Sequence, residues 1–267
     1  MNGPRALAGL TPPRDPLERA GDAVLFAGRL LASVRQLPRY GGETLRQAAL
    51  IATGSTTVIV FIAFFAGGSC GLEASTLARA FGATPVAGGF SAWCTLREVV
   101  PFVFGYVLAA KVGCGMVAEL GAMRTDQEID ALEGMGVSSM AYLCATRAAG
   151  CALVLPAAYL LAIGSSYTAA YLMGVVRFAD VSPGTWSLFF FTFQDGWDLL
   201  FSLIKGLVIS GFVITVALYY GYNARGGPSD VGTATARSMG VSIVGVTLIS
   251  MLGTLVFWGA NPRVPIG

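Results

Sequence analysis

Residues Ala118 to Arg147 read AELGAMRTDQEIDALEGMGVSSMAYLCATR, a polar, acid-rich island between two long apolar runs. Thr125 followed by Glu128 has the capping-box spacing, in which the threonine oxygen accepts from the third helical N–H and the glutamate reaches back to the threonine N–H. The spacing predicts a helix starting at Asp126. Asp126 and Glu128 favour its positive end, and Gly134 and Gly136 stop it after about two to three turns. Isolated helices below ~12 residues rarely persist in water, so this one has to be held by what it touches. On a helical wheel Asp126, Asp130 and Glu133 share one stripe with Ile129 and Leu132 at its sides, which offers acid flanked by apolar knobs. A solvated loop between membrane crossings is the alternative.

The rest of the chain sets the context of the island. Of 267 residues, 55% are hydrophobic and only 12% charged, against ~25% charged in soluble domains, so the chain belongs in a bilayer. The absence of histidine removes Ser-His-Asp, Cys-His and HExxH arrangements, and no catalytic, metal or cofactor site is read from the residues. No GxxxxGK[ST] loop occurs, so any nucleotide that drives this protein is bound by another chain. A net charge of +2 without a basic patch sets nucleic acid aside. The five cysteines show no CxxC spacing and read as buried inert thiols.

Apolar runs at Ala48 to Ala66, Val99 to Ala118, Ala148 to Val176, Leu199 to Tyr222 and Met239 to Trp258 are each near or above the ~20 residues a bilayer demands. The Gly- and Ala-rich segment from Gly67 to Phe90 is expected to include a partly embedded stretch. From Asp22 to Leu37, the residues Phe26, Leu30, Val34 and Leu37 fall on one face, as in a helix lying in the membrane interface; a short helix packed on a partner is the alternative. Residues 1–20 are rich in Pro, Gly and Arg, with no apolar stretch of signal-peptide type, and are expected to form a flexible tail. The fold class is therefore an all-α integral membrane protein. A tail (1–20) precedes an interfacial amphipathic helix and linker (21–47), followed by a transmembrane domain (48–267) of about five spans with a cytoplasmic helix at the island.

An odd number of spans puts the ends on opposite sides. With the N-terminus inside, eleven arginines lie inside and only Arg79, Arg97, Arg177 and Arg263 outside, which predicts a cytoplasmic N-terminus and an extracytoplasmic C-terminus. Gly226-Gly227-Pro228 reads as a tight cytoplasmic turn, with Thr233 or Thr235 capping the last span. Arg97, Glu98, Asp198 and Lys205 then belong to the outer half of the bilayer, where ionised side chains are costly and are functional candidates by default. Lys205 stands ~10 Å of helix rise from Asp198, and Glu98 is its expected partner, leaving Arg97 to meet an anionic head group. Lys111 is expected to snorkel. Span-end charges without a role in transport are the alternative.

Glu119-Leu120-Gly121, Met123, Ile129-Asp130-Ala131-Leu132-Glu133, Met135-Gly136-Val137 and Arg147 resemble the signature loop of the MlaE/YrbE permeases, the membrane subunits of MCE-type lipid ABC transporters. Gln127-Glu128, Ser138-Ser139 and Thr146 depart from that pattern. Further matches are Arg97-Glu98 with Pro101, Asp198 to Lys205, and Tyr220-Gly221-Tyr222 through Val231-Gly232, Ala234-Thr235 and Arg237, so the resemblance covers roughly Arg97 to Trp258. The loop and the YYGYNARGGP turn look most like the B-type YrbE of actinobacterial MCE systems.

The resemblance implies an interfacial helix plus five spans, and a coupling helix on which Glu119, Thr125, Asp126, Glu128, Ile129, Asp130, Leu132 and Glu133 meet a separate ABC ATPase. It also implies a second YrbE-type permease, MCE-domain partners, and movement of membrane lipid (fatty acid, sterol or phospholipid) across or out of the plasma (inner) membrane, with import expected by analogy. An intramembrane lipid-modifying enzyme using Asp198 or Glu98 and a non-transporting assembly scaffold are the competing readings.

Overall fold

The computed structural model describes residues 16–178 and 181–259, and side chains from residue 21 onward; most of the expected tail therefore lies outside the described residues. The described residues are almost entirely helical, and none of them forms a strand. Five helical stretches, 21–80, 84–125, 140–177, 196–222 and 228–258, are long and apolar enough to cross a membrane, which bears out the all-α membrane fold.

Helix α1 (Pro16–Ser33) leads through a 3-10 turn (Val34–Tyr40) into α2 (Gly41–Ala80), the first span. The second span is built from α3 (Ala87–Trp93), α4 (Val100–Val107) and α5 (Cys114–Thr125), joined by π-helical turns at Cys94–Val99 and Leu108–Gly113. The short α6 (Glu128–Gly134) follows, and then the third span, a π-helical turn at Met140–Ala145 continued by α7 (Thr146–Tyr171). Helix α8 (Pro183–Thr192) precedes α9 (Gly196–Tyr222) and α10 (Pro228–Trp258), the fourth and fifth spans. Leu96, Phe104, Leu108, Leu120, Tyr159, Ile209, Val213 and Leu218 form one continuous core around α9.

The segment 67–80, expected as partly embedded, is instead the unbroken end of α2, whose 40 residues rise ~60 Å, about twice the hydrocarbon thickness. What permits this is its parallel contact with α7. A Cβ built on Gly67 would lie 2.2 Å from the Ser166 carbonyl oxygen, and one on Gly71 would lie 2.5 Å from that of Ala170. Small residues here let two backbones touch where lipid offers no hydrophobic drive for association.

Three further expectations change. Phe26 and Leu30 of α1 face the protein, packing on Tyr219 and Tyr222, while Val24, Leu25 and Leu31 form the outward apolar face. Cys70 and Cys94 are joined as a disulfide, with Cα atoms 5.8 Å apart, leaving Cys114, Cys144 and Cys151 as thiols. Closing a loop of this separation stabilises by about 3 kcal/mol in the chain-entropy account. Finally, the outer connection carries α8, capped by Ser182, whose Trp186 and Phe190 stack in a second small core with Phe193.

The α2–α7 contact yields a direct test. Gly67→Val has no soft neighbour to displace, only backbone, and is expected to destabilise by about 1–3 kcal/mol. A lower melting temperature of the detergent-purified protein, with Gly54→Val unaffected as the open-site control, is the expected result.

Candidate functional site

Two groups of charged side chains stand at opposite ends of α9, named outer (its N-terminal end) and inner (its C-terminal end) after the orientation that the arginine bias predicts. The outer group begins with the π-helical turn Cys94–Val99, whose wider register leaves the carbonyls of Leu96 and Arg97 open to side chains of α9. Ser202 Oγ donates to Leu96 O at 2.6 Å, and Tyr159 OH lies 2.7 Å from the same Ser202 Oγ. Lys205 Nζ donates to Arg97 O at 2.7 Å, Thr254 Oγ1 at 2.7 Å and Glu98 Oε2 at 3.3 Å. Three acceptors meet the three donors of an ammonium, which explains how a lysine with a fully buried side chain is tolerated.

The expected Glu98–Lys205 pair is thus present, and Thr254 Oγ1 also donates to Glu98. Arg97 does not stand open for a head group. Its Nη2 binds Asp198 Oδ2 at 3.0 Å, with side chains 9% and 2% exposed, and its guanidinium lies over the rings of Trp93 and Trp258. Asp198 is capped in turn by Trp258 Nε1 at 2.6 Å and by the backbone N–H of Asp195 at 3.4 Å, so desolvation drives the two charges onto each other rather than toward solvent.

Beside Glu98 a recess of about 310 Å³ opens between α4 and α10, lined by Phe102, Thr247, Ser250, Met251, Thr254 and Leu255. Glu98 and the hydroxyls of Thr247, Ser250 and Thr254 beside Phe102, Met251 and Leu255 give that recess amphipathic character. Thr254 and Trp258, which the sequence reading missed, complete the group from α10; their only signal is an i,i+4 spacing on one face. Lys111 is exposed in the π-helical turn Leu108–Gly113 and is not part of this group.

At the inner end the predicted capping box is not formed. Thr125 Oγ1 donates back to Gly121 O at 2.9 Å, which prolongs α5 through Thr125, and Gln127 makes the turn at φ +62° before α6 starts at Glu128. Gly136, at φ +77°, ends α6, its N–H bonding Glu133 O while Val137 N–H bonds Leu132 O. Ile129, expected as a knob toward a partner, is 0% exposed in the chain's own core and Leu132 is partly buried beside it. Met135 at the tip is 70% exposed and was not singled out by sequence. Asp126 and Glu128 are exposed; Asp130 pairs with Arg124 at 2.9 Å, and Glu119 with the buried Arg147 at 3.2 Å. Glu133 accepts from Ser139 and from Tyr222 OH at 3.2 Å, and Ser139 Oγ lies 2.7 Å from Tyr222 OH, which ties α6 to the inner end of α9. In the next turn Asp230, not Thr233 or Thr235, caps α10 by accepting from Gly227 N–H at 3.0 Å.

Residues 44–256 match the family model described as Permease MlaE. The chain belongs to the MlaE permease family. As a permease it is a transporter subunit and not an enzyme. It is 25% identical to a probable ABC transporter permease protein of Rickettsia bellii (strain RML369-C), across 89% of this chain and 92% of that one. It is 24% identical to the intermembrane phospholipid transport system permease protein MlaE of Haemophilus influenzae (strain ATCC 51907 / DSM 11121 / KW20 / Rd), across 92% and 93%. Protein TRIGALACTOSYLDIACYLGLYCEROL 1, chloroplastic, of Arabidopsis thaliana is 23% identical across 89% of this chain and 68% of its own length.

The buried outer pair sets its own test. Asp198→Asn preserves shape but removes the carboxylate charge that faces the buried Arg97 guanidinium, and is expected to cost about 3–5 kcal/mol. Trp258→Phe keeps a ring beneath Arg97 but removes the hydrogen bond to the Asp198 charge, a loss of about 1.5–3 kcal/mol from that bond. Thermal unfolding of the purified permease should rank Asp198→Asn well below Trp258→Phe.

Proposed function

We propose that this permease moves a membrane lipid through the plasma (inner) membrane as the membrane subunit of an ABC transporter, in the import direction, with ATP hydrolysed on a separate chain. The observation that carries the reading is the recess beside Glu98, where a carboxylate held by Lys205 and three hydroxyl side chains stand beside Phe102, Met251 and Leu255. Such a recess suits an amphiphile with a polar head and long tails. The names borne by the relatives, an ABC transporter permease and a phospholipid transport permease, favour the same class.

The orientation with the N-terminus in the cytoplasm and the C-terminus outside is favoured by the arginine bias. It is also favoured by the distribution of cysteines: the disulfide joins the first two spans at the end away from α6 and the thiols lie nearer the α6 end, so an oxidising compartment on the disulfide side puts α6 in the cytoplasm.

The cytoplasmic ATPase docks on the loop around α6, through Asp126, Glu128 and the exposed Met135, with Asp130 and Glu133 at the edge of the contact and Glu119, Thr125, Ile129 and Leu132 shaping the loop from within. Helix α9 joins the two ends: Tyr222 touches the loop, while Asp198 and Lys205, the former ~36 Å away along the helix, belong to the outer group. A second YrbE-type permease of a different sequence, as the B-type actinobacterial resemblance implies, packs along α10, the span with the smallest buried share. MCE-domain proteins receive or deliver the lipid outside.

Two experiments test this reading. Glu98→Lys and Lys205→Glu are each expected to lower lipid uptake at least tenfold in cells depending on the transporter. The double swap should restore only part, because residue 205 would then also face the Arg97 carbonyl. Two single variants that take up lipid normally would remove the outer site from the path. For docking, Asp126→Lys, Glu128→Lys and Met135→Asp combined should release the ATPase from the purified complex without lowering permease yield. Ile129→Ala should instead lower permease stability by about 2–5 kcal/mol, since it opens a cavity in the permease itself. An ATPase retained by the triple variant counts against docking at α6.

A further inference from the structure

The Cys70–Cys94 disulfide stands apart from the charges, yet Cys94 is the first residue of the π-helical turn that carries Arg97 and Glu98. Cys70 is 2% exposed and lies between Gly67 and Gly71, the two positions at which the first span is pressed against the backbone of the third. One covalent bond therefore connects a backbone-to-backbone contact of the first and third spans to the turn whose carbonyls and side chains bind Lys205 and Asp198. The neighbouring residue, Trp93, adds a second tether, its indole N–H donating to Phe193 O at 2.8 Å while Arg97 lies over its ring.

A π-helical turn is a rare single-turn insertion in an α-helix, frequent at functional sites, and here it is tied from outside by the disulfide and by the Trp93 indole. Of the groups at this turn, Glu98 is the most solvated, with its side chain 49% exposed, so it is the first to drift if the turn loosens.

We infer that the Cys70–Cys94 disulfide is a positioning element of the lipid site, fixing the turn that presents Glu98 to the recess, and that lipid capture by this permease depends on its oxidation. The inference rests on the assignment of that recess to lipid. The bond forms as each thiol gives up a proton and the pair gives up two electrons to the disulfide of an extracytoplasmic thiol-oxidising protein, which leaves as a dithiol. Because Cys70 is covered in the finished fold, closure precedes the final packing of the second span against the first.

The test uses the permease with its partners in native membranes. Denaturation without reductant followed by maleimide labelling should add three labels to the chain, for Cys114, Cys144 and Cys151; five labels would overturn the proposal. Capture of a photoreactive phosphatidylglycerol is then compared before and after treatment with a phosphine reductant. A variant in which Cys114, Cys144 and Cys151 are serine is carried alongside, so that only the paired cysteines respond. Reduction, verified by maleimide labelling of Cys70 and Cys94, is expected to raise the lipid concentration for half-maximal capture at least fivefold and to lower the melting temperature as the lost loop constraint requires, while ATPase copurification shifts little. Cys70→Ser with Cys94→Ser should behave as the reduced form. If Glu98→Lys abolishes capture but reduction leaves it unchanged, the positioning role falls and the lipid site stands. If neither changes capture, the lipid site falls and this inference falls with it.

Discussion

Four ionisable side chains at the outer ends of two spans are the constraint on which the arrangement depends. Each charge alone would cost several kcal/mol in a medium that does not solvate it, so Arg97, Asp198 and Lys205 are stable only when the second, fourth and fifth spans sit in one register. Lys205 is the strictest case, because its three acceptors come from the π-helical turn and from α10 together. The hydrophobic effect cannot set such a register in lipid, where tails are as apolar as leucine. Polar satisfaction can. The two glycines of α2 do the corresponding work for the first and third spans by shape rather than by charge.

How much of this was legible in the sequence depends on which property each feature uses. Span count and the Glu98–Lys205 pair follow from hydropathy and from chain direction, both of which survive errors of a few residues. Arg97 was misjudged because its partner depends on helix rotation. Each π-helical turn inserts a residue and turns everything beyond it by about 100°, and no residue between Cys94 and Val99 announces such a turn. Trp258 at a span end reads as an interfacial belt residue, but its Nε1 bond to Asp198 and its ring beneath the Arg97 guanidinium give it another role. The capping box failed at Thr125 for a local reason: the hydroxyl had a closer acceptor one turn back, at Gly121. The disulfide was invisible because a separation of 24 residues carries no motif; only the antiparallel meeting of two spans brings Cys70 to Cys94.

The two ends of α9 differ in physical character, and the difference bears on where the molecule can move. At the inner end, Arg124–Asp130 and Arg147–Glu119 each include a carboxylate more than 60% exposed, and the Glu133–Ser139–Tyr222 bonds lie at the edge of solvent. Pairs of that kind contribute about 0–1 kcal/mol and can exchange a protein partner for water at little cost. At the outer end Arg97, Asp198 and Lys205 have no water to exchange for, and a covalent bond backs the turn that holds two of the ligands. A force applied to α6 therefore meets weak, solvated joints first, and whatever passes into α9 arrives at a cluster that shifts as a unit or not at all. Glu98 alone among the outer charges combines substantial exposure with a place in the recess wall, so it is the group through which a shift of that unit would be felt by anything occupying the recess.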